Sequence, residues 1–315
     1  MIAATHRRTT VACAVVIVLL LLYFATYETG DIPFQSILAP QRRPQKIHLV
    51  TFGHNEPFET NGRNIVKQVL QHTYADTARF WSMQDMKTEF PEHASIWDYI
   101  KPDTPFKRPG CMAQKAALVL EVMVNRSQPG DWIFWTDSSK HYATFNVNLT
   151  AFVAHLETKL GLDQYPGTAL CHLVNTDNSC GVLVQPAVFR AMDLDEPRYW
   201  FAPHYQNNFF GFKNTPRNQA FVREWKKYNL DMNVACSSHP NDQSIFSVLV
   251  AKYEMKAPYL CDGSKQWKSP DSHTLKNPEY VVNAIMSDAK KPVWDAFEIT
   301  RNLVKAGWFS SRSHN

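Results

Sequence analysis

Residues Pro129-Gly-Asp-Trp-Ile-Phe-Trp-Thr-Asp-Ser-Ser-Lys-His141 decide how the chain is read. The turn pair Pro129-Gly130 opens into an apolar run, Trp132 to Trp135, that is bulky and too short for a helix, so it predicts a buried strand. Asp137 follows at the strand's carboxyl edge. In open α/β sheets ligands bind outside the carboxyl ends of the strands, so an acid placed there can face a phosphate or its metal ion. Asp and Ser also bond their own backbone in turns, and a plain turn cap accounts for the same residue. On the residues alone both readings stand.

Upstream, Lys46-Ile-His-Leu-Val-Thr-Phe-Gly53 runs apolar to a glycine and a polar loop, His54 to Pro57, as the first buried strand of a parallel sheet does. Ile65, Val66, Val69 and Leu70 at helical spacing predict a helix from Asn61-Gly62 to Gln71, and Ala78 to Met83 a second short strand. Strand, helix and strand in this order point to a doubly wound α/β half. Asp85 to Pro109, rich in Pro and aromatics, carries no assignable period. Lys115, Leu118, Val119 and Val122 then share one face of a helix over Ala113–Val124. Lys115 opens that stripe near the helix N-terminus, where free N–H groups favour an anion such as a diphosphate. A lysine there can equally pack its stem and hold its ammonium in water.

Downstream, Leu149, Phe152, Val153, Leu156 and Leu160 form an amphipathic helix closed by Gly161. Thr168 to Val174 and Cys180 to Val184 read as two short strands. Trp200 to Phe212 interleaves six aromatics with His204, Gln206, Asn207 and Asn208. Such a stretch suits sugar stacking and hydroxyl bonding, although core packing is the commoner use of clustered aromatics. Thr215-Pro216 starts a helix with Phe221, Val222, Trp225 and Tyr228 on its buried face. A further helix follows His239, with Ile245, Val248 and Leu249 inward and Asp242 and Gln243 in its first turn. An Asp there is favoured by the helix dipole whatever its function.

No charge interrupts Val11 to Ala25, and Thr9 to Tyr27 approaches the roughly 20 residues that span a bilayer. Arg7 and Arg8 precede this stretch and Glu28 and Asp31 follow it, which predicts a cytosolic tail at 1–8, a transmembrane signal anchor at 9–27 and a lumenal remainder. A cleaved signal peptide is the rival reading, since the n-region is basic and the apolar core short, but no convincing small-x-small cleavage site follows. The polar, proline-bearing residues 28–45 read as a stem, and 46–315 as one catalytic domain, since 315 residues at 20% charged can bury one substantial core. A net charge of +4 spread without a basic stripe argues against a nucleic-acid partner. Besides Cys13 there are Cys111, Cys171, Cys180, Cys236 and Cys261. An oxidising lumen allows up to two disulfides, Cys171–Cys180 and Cys236–Cys261 being among the pairings available, with the connectivity open. No C-x-x-C spacing points to zinc. Sequons at Asn125 and Asn148 agree with a lumenal domain.

The Trp-x-Asp-Ser strand end resembles the acidic region of GT-A glycosyltransferases, and is similar to the Trp-Trp-x-Asp-Ser-Asp stretch of plant and fungal galactosyl- and xylosyltransferases. Arg108-Pro-Gly-Cys-Met-Ala-Gln-Lys115, a helix and then Gly130-Asp131 also resemble a Gly/aromatic-x-x-Lys-Pro pattern of polysaccharide glycosyltransferases. Here Ala116 stands for the proline, and Cys111 and Met112 occupy the aromatic positions. The Phe221-x-x-x-Trp225 helix and Asp242-Gln-Ser-x-x-Ser are similar to the C-terminal half of the same enzymes. The resemblance runs from about Ile47 to Tyr253. It implies an α/β fold: a single GT-A (Rossmann-like) domain with a mixed, mostly parallel central sheet flanked by helices, preceded by the N-terminal transmembrane helix.

Joined to the anchor read from residues 9–27, the resemblance implies a type II membrane enzyme of the Golgi or endoplasmic reticulum that moves a sugar from a nucleotide-sugar donor to a glycan or glycoconjugate acceptor. The donor side would be Thr51, Asn55, Lys115, Asp137 and Ser139, the acceptor side Asn178, Asn208 and Gln243, and the general base Asp242. A Mn²⁺ or Mg²⁺ ion would rest on Asp137 and Ser139, with His273 (or His239) as a late ligand. The second acid of the motif is Ser139 here, and a neutral hydroxyl is a weaker ligand for a hard cation than a carboxylate. That departure supports an alternative, a catalytically inactive membrane-anchored carbohydrate-binding relative. A serine or cysteine hydrolase lacks its signature, since no Gly-x-Ser-x-Gly elbow is present.

Overall fold

In the computed structural model the residues described are 44–100, 109–139, 145–169, 180, 184–200, 202–237, 241–258 and 293–295. The chain divides after Pro44, and the unit Gln45–Asn315 carries the fold. The apolar runs become strands β1 (Ile47–Gly53), β2 (Thr77–Ser82) and β3 (Trp132–Thr136). Helix α1 (Phe58–Gln71) joins the first two, and α2 (Met83–Glu89), α3 (Ala94–Asp98) and α4 (Gln114–Glu121) follow β2. After β3 come α5 (Leu149–His155), β4 (Gln164–Tyr165), β5 (Thr168–Ala169), α6 (Pro186–Ala191), α7 (Pro197–Trp200), β6 (Tyr205–Gln206) and β7 (Phe209–Lys213). The described chain ends with α8 (Pro216–Leu230), α9 (Met232–Ala235), α10 (Asn241–Lys252) and the pair β8 (Lys256–Pro258) and β9 (Val293–Asp295).

The central sheet has the order β2-β1-β3-β7-β4. β1 runs parallel to β2 and β3, but β7 lies antiparallel to both β3 and β4. The two small sheets, β5-β6 and β8-β9, are antiparallel as well. The expected mostly parallel sheet is therefore corrected to a mixed one: among the described residues, antiparallel pairings outnumber parallel ones. The physical reason is that burial on both faces produces a continuous apolar run in either strand direction. β3 has helices on both sides, so its composition is silent about how β7 enters.

The transmembrane helix expected at 9–27 is not among the residues the structure describes. Among the described residues no helix is long and apolar enough to cross a membrane.

Alternation along β3 splits the core. Ile133 and Trp135 join Leu118, Phe210, Phe212, Phe221, Trp225 and Ile245 on one face, with α4, α8 and α10. Trp132 and Phe134 join Ile65, Val69, Phe152 and Phe209 on the other, with α1 and α5. Each buried Trp removes roughly 200 Å² from water, an upper bound of roughly 5 kcal/mol. Trp132 and Trp135 are 0% and 1% exposed, so β3 is firmly anchored, and its carboxyl end is correspondingly fixed.

Local boundaries differ in instructive ways. The first helix starts at Phe58, and Gly62 is inside it, because a Cβ on Gly62 would sit 2.5 Å from the Phe80 ring. The unassigned stretch after Ser82 is helical, opened by a reciprocal cap between Ser82 and Asp85. Where the residues predict a strand at Cys180–Val184, Val184 N donates to Cys180 O at 2.7 Å, a helix-type bond. Of the strand expected over Thr168–Val174, Thr168–Ala169 is observed and the rest lies outside the described residues.

Candidate functional site

Because β1 and β3 are parallel, their carboxyl ends share one edge of the sheet, and the reversal of β7 brings its amino end, Asn207-Asn208, to the same edge. Three bonds fix the chain where it leaves β3. Asp137 N donates to Asn208 O at 2.8 Å, Trp135 Nε1 donates to Asp137 Oδ1 at 2.8 Å, and Ser138 Oγ donates to Phe52 O at 2.5 Å. The Asp137 side chain is 21% exposed, and its second oxygen takes no part in these bonds. The turn-cap reading thus gives way to a carboxylate held by a tryptophan of its own strand.

Lys115, second residue of α4, reaches this carboxylate from the helix layer. Its Nζ lies 3.1 Å from Asp137 Oδ1 and 3.1 Å from Asp242 Oδ2, and donates to Asn207 O and Oδ1, each at 3.3 Å. Asn207 Nδ2 donates in turn to Asp242 Oδ2 at 2.9 Å, so one amide serves both charges. The lysine side chain is 3% exposed and that of Asp242 4%. Burial alone drives an ammonium toward neutrality, but Asp137 and Asp242 outweigh it, and the pKa of Lys115 is raised above its ordinary value. Four acceptors surround three N–H donors, which leaves no donor of Lys115 for a ligand. One ammonium and two carboxylates sum to a formal charge of minus one, which disfavours a diphosphate at this point and favours hydroxyl donors.

Lys115, Asp137 and Asp242, drawn from three separate stretches, therefore meet at one point. Asn208 joins them through its carbonyl, and Gln243 lies alongside, its Nε2 bonded to His204 Nδ1 at 3.0 Å. Thr51 is fully buried within β1 with its Oγ1 unpartnered. Asn55 is exposed in the turn before α1, its carbonyl accepting from Glu59 N, and Ser139 is half-buried just past Asp137. Asn178, His239 and His273 lie outside the described residues. The sequence offers Asn207 only as one amide among the aromatics and does not reveal that it bridges Lys115 and Asp242, or that Trp135 holds Asp137. The amide pair ahead of β7 is a visible signal in the sequence; its direction of approach is not.

The cysteines also correct an expectation. Cys236 pairs with Cys111, not with Cys261, and Cys180 is a buried free thiol near Pro203 O. Cys111 and Cys236 precede the helices that carry Lys115 and Asp242, and proximity there depends on the tertiary fold, not on sequence spacing.

A divalent ion fits this arrangement poorly. The space between the two carboxylates is filled by the Lys115 ammonium. One free oxygen of Asp137 and a Ser139 hydroxyl are sparse ligands for a hard cation that takes about six oxygens. Among the described residues no group of three or more His, Cys, Asp or Glu is placed to hold a metal. A small pocket lined by Arg198, Tyr199, Ala251, Lys252 and Glu254 involves none of these residues. Comparison with protein families, with curated proteins and with solved structures finds no match to this chain.

Proposed function

We propose that the chain is a glycosyltransferase that moves a sugar from a nucleotide-sugar donor to a hydroxyl of a glycan or glycoconjugate. The observation that carries this reading is the convergence of Lys115, Asp137 and Asp242 within 3.1 Å contacts at the carboxyl edge of the sheet, where ligands of open α/β sheets bind. Asp137 takes the hydroxyl: Oδ1 is held by Trp135 and Lys115, and Oδ2 accepts the acceptor's proton as its oxygen bonds to the anomeric carbon. The bond from that carbon to the diphosphate breaks, and the nucleoside diphosphate leaves with the electron pair. Asp242 is too buried to reach an acceptor, so in this scheme it positions Lys115. The Cys111–Cys236 disulfide supports an oxidising compartment such as the secretory lumen.

The test is transfer by the full chain across UDP- and GDP-sugars and a panel of oligosaccharides, parent against Asp137→Asn. Loss of a general base lowers the rate by about 10²–10⁴-fold. A variant as active as the parent refutes the role. If the parent binds oligosaccharides and consumes no donor under any condition, the carbohydrate-binding reading replaces this one. One observation favours that second reading: the ammonium expected to meet a diphosphate is fully engaged by its own carboxylates.

A further inference from the structure

We infer that the Cys111–Cys236 disulfide positions the site, holding Lys115 and Asp242 in register over Asp137, an inference that rests on the reading of this cluster as the site. The bridge spans 125 residues of sequence and joins two segments that precede site helices in the chain. Cys111 lies in the turn Gly110–Met112, just ahead of α4, whose second residue is Lys115. Cys236 caps the end of α9, ahead of α10, whose second residue is Asp242. Both site residues therefore stand in a first helical turn, and the covalent link ties together the segments that precede those two turns.

The turn it grips is an unusual one. Gly110, Cys111 and Met112 have φ of 56°, 48° and 67°, three successive left-handed residues of which two carry side chains. Such a conformation persists only where its surroundings over-determine it. Gly110 is itself confined, since a Cβ there would lie 3.1 Å from Ile96 O. Releasing Cys111 removes the covalent constraint that holds this turn against α9. The first turn of α4 then relaxes, and the ammonium leaves its three partners for water. Cys111 and Cys236 are 1% and 7% exposed, so in the intact domain the clamp is shielded.

The test needs no substrate. The parent and the Cys111→Ala/Cys236→Ala double variant are treated with an amine-acetylating reagent and, separately, with iodoacetamide, and labelling is read by peptide mass spectrometry. Circular dichroism and thermal unfolding establish that labelling is done well below the melting point. Expected is at least a tenfold faster acetylation of Lys115 in the variant, with Lys213, ion-paired to Glu157 away from the clamp, unchanged and the buried Cys180 still protected. Equal protection of Lys115 in both proteins overturns the inference. So does a variant in which Cys180 opens together with Lys115, or one that does not fold, because the bridge would then hold the whole domain and not the site. If Lys115 protection depends on the bridge while no donor sugar is ever consumed, the sugar-transfer reading falls and the clamp stands.

Discussion

Replacing Lys115 by Met keeps most of the buried stem and deletes the ammonium, which turns a compensated cluster into two facing carboxylates. Each lies 3.1 Å from Nζ, so their oxygens are within about 6 Å of each other. At an effective dielectric of about 20, that repulsion is about 3 kcal/mol. Removing one partner of a buried ion pair typically costs about 3–5 kcal/mol, because it leaves an uncompensated buried charge. We therefore expect a loss of about 3–5 kcal/mol, or roughly 6–20 °C in melting temperature for a domain of this size. Calorimetry and urea unfolding at neutral pH measure it.

The alkaline limb gives a second check on the same variant. Lys115 has a raised pKa in the folded chain, so its contribution is fully present below the unfolded lysine value of 10.5 and is lost as pH rises through the folded value. Tyr253 and Cys180, both pushed up mainly by burial, also weaken the fold in that range. The parent-minus-variant difference isolates the lysine: it should hold steady to about pH 10 and shrink above it. A loss below about 1 kcal/mol, the level of an exposed ion pair, would falsify the picture of a sealed cluster.

Gly211→Ala places a Cβ 2.3 Å from the Phe134 ring and should cost about 1–3 kcal/mol in urea unfolding, with Phe134→Leu restoring part of it. A neutral substitution would mean that the ring has room to move. Burial raises the pKa of Glu157, but hydrogen bonds from Lys213, Trp132 and Gln45 more than reverse this and hold it below the usual carboxylate value. Its contribution is present above the unfolded value and lost as pH falls through the folded one, so Glu157→Gln should flatten the acid limb of the stability profile below about pH 4. An unchanged limb refutes that. Asn125 and Asn148 are both exposed, and a glycan on Asn148 Nδ2 leaves its Oδ1 free to cap α5 at Ala151 N. Made through the secretory pathway, the protein should lose one glycan with each of Asn125→Gln and Asn148→Gln, read as a faster band on gels before endoglycosidase treatment and as no difference after it. No mass change in either variant overturns the lumenal placement.

β1, β3 and the helix faces are legible in the sequence because each rests on local periodicity and a local stop. Ile65 and Val69, and Leu118 and Val119, do pack inward. What escapes is non-local. Asp137 stands out because a strand ending in an acid is a one-dimensional pattern, whereas Asn207 becomes a site residue only when β7 runs backwards beside β3. Lys115 illustrates the limit most sharply. Its place near a helix start reads as a cation waiting for a phosphate, or as a stem with its charge in water; in the structure the charge is buried and held by two carboxylates from other elements. A helix N-terminus fixes where a side chain starts but not which partner meets it. The choice between a ligand and an internal carboxylate is made by Asp242, whose own presence in a first helical turn looks sufficiently explained by the dipole. Two residues, each with an adequate local reason, become a site only through one another, and a cluster of that kind is invisible until the elements are assembled.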